Sequence, residues 1–129
     1  MTTDELITAA TEARLRARAD HSGFRVGCAL MTADGEVITG CNIENDTLGL
    51  TLCAERVAIF KALSEGKQEI SRLCVVTASE RLTPPCGACR QIIWEFCGDI
   101  PIVLANLAGD QCETSSRQLL PEPFDRRFL

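Results

Sequence analysis

The sequence predicts an α/β fold, a three-layer α-β-α sandwich around a mixed five-stranded sheet. Short apolar and β-branched runs alternate along the chain with longer stretches of helical periodicity. One run, Arg72–Ala78, is almost continuously apolar, as a strand covered on both faces requires. The chain shows no repeat, low-complexity segment or linker, and its 129 residues suffice for a core, so 1–129 reads as one domain.

Each element has its own warrant. Residues 4–19 carry Leu6, Ile7, Ala10, Ala13, Leu15 and Ala17 among charges without Gly or Pro, a helix with one apolar stripe. Asp20-His21-Ser22-Gly23 breaks it. Phe24–Thr32 is β-like, Ala33-Asp34-Gly35-Glu36 is a hairpin turn, and Val37–Asn42 returns as the second strand. A polar loop follows at 43–47. Next comes a helix that contains Cys53 and stops near Gly66. After the strand at 72–78, Pro84-Pro85 delays the next helix to about Gly87–Cys97. Ile100–Asn106 is a further strand, 111–114 a short fifth, and 115–120 a helical turn.

Composition narrows the function. Hydrophobic residues make up 46% and charged residues 24%, the balance of a globular chain and not of a disordered one. Net charge is −5, and the 13 Lys and Arg are scattered without a basic run. Gripping a phosphate backbone needs clustered cations, so the expected partner is a small, near-neutral molecule and not nucleic acid. No apolar run is long enough to cross a bilayer, which argues against a membrane role. The opening segment MTTDELITAATEARLRARAD lacks the apolar centre of a secretory leader, and a cytoplasmic location is the expectation. In that reducing setting the eight cysteines read as metal ligands, catalytic groups or packing, not as a disulfide framework.

Two stretches concentrate the chemistry. Cys86-Gly87-Ala88-Cys89 follows Pro84-Pro85 at one helix start, and Cys53-Ala54-Glu55 stands at another. Residues three apart share a helix face, so Cys86 and Cys89 can grip one ion. Helical side chains lean towards the N-terminus. In a first turn, residues two apart therefore project together into the space ahead of the helix. Cys53 and Glu55 then share a target beyond the helix, not a face along it.

If the two starts meet, Cys53, Cys86 and Cys89 offer three thiolates to one Zn²⁺ per chain and leave a fourth position for water, the mark of a catalytic zinc. Glu55, beside the metal but off it, is suited to proton transfer. Three thiolates give a centre of net negative charge. The two helix N-termini offset it, and Arg56 and Arg90 are read as doing so through hydrogen bonds to sulfur. Blander readings stand beside these. A Cys-x-x-Cys pair also serves redox proteins and structural zinc sites, for which Cys41, Cys97 or His21 would supply the fourth ligand. Glu55 and the two arginines, taken singly, read as solvated surface. Cys28, Cys41, Cys74, Cys97 and Cys112 read as core packing.

Several blocks occur together in one order: Ser22-Gly23-Phe24-Arg25-Val26-Gly27, Gly40-Cys41-Asn42-Ile43-Glu44-Asn45, Cys53-Ala54-Glu55-Arg56, Lys61-Ala62-Leu63-Ser64-Glu65-Gly66, Pro85-Cys86-Gly87-Ala88-Cys89-Arg90-Gln91, and Leu119-Leu120-Pro121 before Phe124. In these the chain closely resembles the zinc-dependent cytidine deaminases, in particular the short, homotetrameric class with three cysteine ligands. The resemblance covers nearly the whole sequence. It implies hydrolytic deamination of free cytidine or deoxycytidine, with Cys53, Cys86 and Cys89 on zinc and Glu55 as proton shuttle. It further implies Asn42 and Glu44 on the ribose, Phe24 against the pyrimidine, and backbone groups near Ala54 at the base edge. Phe124 would come from a neighbouring subunit of a homotetramer with shared active sites. Core filling is the plainer reading of either Phe.

The departures from the family pattern are local. Asp46-Thr47-Leu48 stands where the family commonly has small residues and then an aromatic, and Asp20-His21 replaces its usual Pro-Tyr. Asp46 is read as a carboxylate at the pocket rim, which raises an N4-substituted cytosine nucleoside as an alternative substrate. A blasticidin-like nucleoside is a second alternative, which the intact Asn42-Ile43-Glu44-Asn45 loop argues against. A non-catalytic, zinc-stabilised binding module is the reading from another class, and retention of Glu55 counts against it.

Overall fold

The computed structural model describes residues 1–129. Five strands form one mixed sheet in the order β2-β1-β3-β4-β5. These are β1 (Val26–Thr32), β2 (Val37–Cys41), β3 (Ile70–Thr77), β4 (Pro101–Asn106) and β5 (Gln111–Ser115). Only the β3–β4 pair is parallel. A parallel pair needs a crossover, and α3 (Gly87–Cys97) supplies it. The other helices are α1 (Thr3–Arg14), α2 (Ala54–Ser64) and the single turn α4 (Ser116–Leu119), with 3₁₀ turns at Leu48–Leu50 and Arg126–Phe128.

Strand alternation builds the three predicted layers. Ala29, Cys74, Val76, Val103 and Ala105 face α1 through Leu6 and Ala10. Their neighbours Cys28, Leu30, Leu73, Val75, Ile102 and Leu104 face the other way, against Ala58, Ile59 and Ala62 of α2 and Ile93 of α3. A strand buried on both faces reads as a continuous apolar run, which accounts for the pattern of β3. Two glycines let helices sit directly on strands. A Cβ on Gly27 would lie 1.9 Å from the Ala10 carbonyl oxygen of α1, and one on Gly40 would lie 2.6 Å from the Ala58 nitrogen of α2. Gly40 thereby fixes how closely α2, and the chemistry at its tip, approaches β2.

The differences from expectation have local causes. The first helix stops at Arg14, not near residue 19, because Arg18 pairs instead with the loop after β2. Its N–H donates to the Asn42 carbonyl at 2.9 Å and its carbonyl accepts from the Glu44 N–H at 2.9 Å. Strand β1 begins at Val26, since the Asn42 side chain takes up the Phe24 carbonyl and the Val26 N–H. Cys28 and Cys74 are core residues as expected and half-buried Cys97 packs against the core, whereas Cys41 is half-buried and Cys112 is exposed. Cys112 lies on edge strand β5, most of which faces solvent.

Candidate active site at two helix tips

Cys53 and Cys86 are the N-cap residues of α2 and α3, both extended and neither capping its own helix through sulfur. Their thiols are thus free to point ahead of the helices, where their sulfurs stand 3.8 Å apart. Cys89, one turn into α3, completes a trio of sulfurs that all lie within 4.8 Å of one another. Cys41, Cys97 and His21, the candidates for a fourth ligand, lie outside that trio.

The electrostatics of the trio ask for a cation. Cys53 is drawn down to about 5, first by the hydrogen bond from Cys89 and then by Arg56 and Cys86. Arg56 donates an Nη2 hydrogen to the Cys53 sulfur at 3.4 Å and to the Thr51 carbonyl at 3.3 Å. Cys89 moves the opposite way, raised by its bond to Cys53 and by burial. One guanidinium and two helix ends therefore hold one thiolate readily, while a second ionisation is opposed. A bound cation would favour the thiolate form of these ligands. Soft sulfur donors, three in number with no fourth protein ligand, fit zinc in an open site.

Glu55 sits at the next position but one after Cys53 and is only 4% exposed. Burial pushes its carboxyl up to about 7, with the Cys53 charge adding to the shift. It helps to line a cavity of about 250 Å³ that also reaches Cys53 and Cys86. Apolar walls come from Phe24, Val26, Leu52, Val75 and Pro84, and the polar end holds Ser22, Asn42 and Glu44. Of the residues singled out in the sequence, Phe24, Asn42, Glu44, Cys53, Glu55 and Cys86 share this cavity. Ala54 is fully buried in the first turn of α2.

The polar end is already organised. Glu44 accepts from the His21 and Ser22 backbone N–H groups at 2.8 and 2.9 Å, and from the Ser22 hydroxyl at 2.5 Å. Those bonds, the hydroxyl's foremost, hold its carboxyl below the ordinary range. Asn42 is 7% exposed and uses one end of its amide on Val26 and the other on Phe24, each at 2.9 Å. An amide has four hydrogen-bonding positions, so one donor and one acceptor site remain. Ser22, which lines the cavity and bonds to Glu44, was not singled out from the sequence; its place in the Ser22–Gly27 block was the available signal. The two departures at the rim meet each other: His21 Nε2 lies 3.2 Å from Asp46 Oδ1, so the Asp46 carboxylate is engaged outside the cavity lining.

One expected placement differs. Arg90 makes no bond to sulfur; it donates to the Pro85 carbonyl at 2.7 Å and the Leu119 carbonyl at 2.9 Å. These two carbonyls occupy the fork that was expected to offset thiolate charge. Phe124 is 58% exposed on the C-terminal tail, away from this chain's own cavity, and stacks on Phe128 with centroids 5.8 Å apart.

A thiol trio at paired helix tips, opening onto a small cavity, defines an α/β protein built to work on a small molecule beside a metal ion. The region that matches a known family is the cytidine and deoxycytidylate deaminase zinc-binding region, over residues 1–105. A cytidine deaminase of Sporosarcina psychrophila is 46% identical over 130 residues, spanning 100% of this chain and 96% of that one. One from Halalkalibacterium halodurans is 49% identical over 120 residues, 92% of this chain and 91% of the relative. The crystal structure of cytidine deaminase from Burkholderia pseudomallei superposes with a TM-score of 0.94 at 45% identity, covering 96% of this chain and 100% of that chain. This chain belongs to the cytidine deaminase family, and its zinc-binding region carries the cluster of Cys53, Cys86 and Cys89.

Proposed function

We propose that this protein hydrolyses free cytidine and deoxycytidine to the uracil nucleosides and ammonia. The observation that carries the reading is Glu55, a carboxyl kept out of water beside a thiol trio and facing a nucleoside-sized cavity. Cys53, Cys86 and Cys89 would hold zinc, which when bound would supply the Lewis acidity that makes water a nucleophile near neutral pH. Glu55 takes a proton from the attacking water and delivers it to the ring N3 as C4 becomes tetrahedral. It then carries the second proton to the departing amine. A buried carboxyl whose affinity for protons is raised can both accept and return them near neutrality.

Phe24 packs on the pyrimidine, the backbone at Ala54 reads the base edge, and Asn42 and Glu44 hold the ribose. Glu44's fixed orientation supports that role, because a carboxylate pinned by Ser22 need not be ordered by the sugar. The placement of Asp46 outside the cavity lining, in contact with His21, favours the plain nucleoside over an N4-substituted one, since the carboxylate that motivated the alternative does not face the substrate cavity. Arg56 offsets thiolate charge directly. The domain 1–129 would act as a homotetramer with shared sites. Its exposed aromatic residues, the Phe60–Phe96 pair and the Phe124–Phe128 pair, support association between copies. A cytoplasmic setting belongs to the same reading, because thiolate ligands persist where oxidation is held off. No helix is long and apolar enough to cross a membrane.

The test is a panel of cytosine nucleosides, plain and N4-substituted, assayed by product chromatography with the wild type and Glu55→Gln. The wild type should convert cytidine and deoxycytidine fastest. The variant should keep its zinc and lose about two to four orders of magnitude in kcat. Undiminished turnover in Glu55→Gln removes the shuttle, and a preference for N4-substituted substrates reverses the substrate assignment.

A further inference from the structure

Helix α3 does more than present two thiols. Three of its side chains tie down the C-terminal tail. Arg90 donates to the Leu119 carbonyl, and Gln91 donates its amide N–H to the Phe124 carbonyl at 2.7 Å. Trp94 donates its indole N–H to Asp125 Oδ2 at 3.1 Å. Gln91 and Trp94, three residues apart, share one helix face. The Arg117 guanidinium lies over the Trp94 ring at 4.8 Å from its centre. Asp125 is fixed further by Arg127, whose Nε and Nη2 reach it at 2.9 and 2.7 Å, and its side chain is only 13% exposed.

The tail backbone gives a second, independent observation. Glu122 has φ +52°, the one non-glycine residue in the left-handed region, and it directly precedes Pro123. Such a conformation persists only where surrounding contacts over-determine it. Pro123 is buried beside it, yet the next residue, Phe124, stays largely exposed, with Phe128 stacked on one face of its ring. Strain, three anchors and an aromatic ring with an open face together describe a segment built to hold that ring out to something.

We propose that Trp94, Gln91 and Asp125 form a positioning clasp that sets the Phe124 ring for the substrate cavity of a second copy of this chain. The proposal rests on the reading of Phe124 as a ring donated by a neighbour. It makes substrate binding depend on residues remote from the cavity, while proton transfer at Glu55 is untouched. The signature is therefore a rise in KM with kcat preserved.

The experiment uses the zinc-loaded, full-length enzyme with cytidine, comparing Phe124→Ala, Trp94→Phe, Asp125→Ala and Asp125→Asn, with oligomer size followed in each. Phe124→Ala should raise KM. Trp94→Phe and Asp125→Ala should each raise KM about fivefold, the factor equivalent to one hydrogen bond of ordinary net strength. Asp125→Asn, which keeps an acceptor for the indole N–H, should recover most of the loss. Trp94 is the sole tryptophan, so its emission should shift in Asp125→Ala as the clasp opens. An unchanged KM in Phe124→Ala overturns the donated-ring reading and the clasp with it. A raised KM in Phe124→Ala, but in neither Trp94→Phe nor Asp125→Ala, leaves that reading standing and overturns the clasp. Losses confined to kcat or to assembly overturn it also, since the ties would then be merely structural.

Discussion

The tips of α2 and α3 start alike and diverge within one turn. Each begins with an N-cap cysteine whose sulfur leaves the helix, yet the residue two positions on is buried Glu55 in α2 and exposed Ala88 in α3. Three positions on, α2 carries Arg56, which turns back to the Cys53 sulfur, and α3 carries a second thiol, Cys89. The arginine that follows Cys89 turns away to two carbonyls. The difference teaches that distance from a ligand does not set a side chain's task. What packs over that turn does. On the proposed reading, α2 would carry the proton chemistry, the thiol-bonded arginine and one of the three sulfurs, whereas α3 adds the other two sulfurs and holds the tail.

Substitutions at matching offsets can break or sharpen that division. The largest effect belongs to Glu55→Gln, whose loss should fall in kcat alone. Next is Arg56→Gln, which removes the one cation bonded to a thiol. Zinc affinity, measured by competition with a chelator, should fall about 10–100-fold, the range for groups that support a metal ligand. The smallest is Arg90→Gln. It should leave zinc affinity as it was and lower stability by about 1–3 kcal/mol in a denaturant melt, through two carbonyls left unpaired. Equal zinc losses in the two arginine variants would erase the distinction between the tips.

The three layers and the converging tips were legible because their signals are local. Periodicity marks a covered strand, and Cys-x-x-Cys behind two prolines marks a helix that opens on its ligands. Arg90 was misread because its partner, the Leu119 carbonyl, lies 29 residues away and backbone oxygens leave no mark in composition. The end of α1 was overrun for a similar reason. Arg14–Ala17 keeps a helical pattern, and only the pairing of Arg18 with Ile43 draws the chain out of it. Asp46 and His21 each looked like an isolated oddity; their meeting depends on how two loops cross at the rim. Cys112 shows the limit of residue type as a guide, since a cysteine on an edge strand need not be covered.

The proposed chemistry requires one cation bridging both helix tips through sulfur, with one coordination position not filled by the protein. Zinc-edge X-ray absorption on the purified enzyme measures this directly. The expected result is about one zinc per chain, with three sulfur neighbours and one lighter donor. Four sulfurs, or a zinc-free protein that still deaminates cytidine, would contradict it.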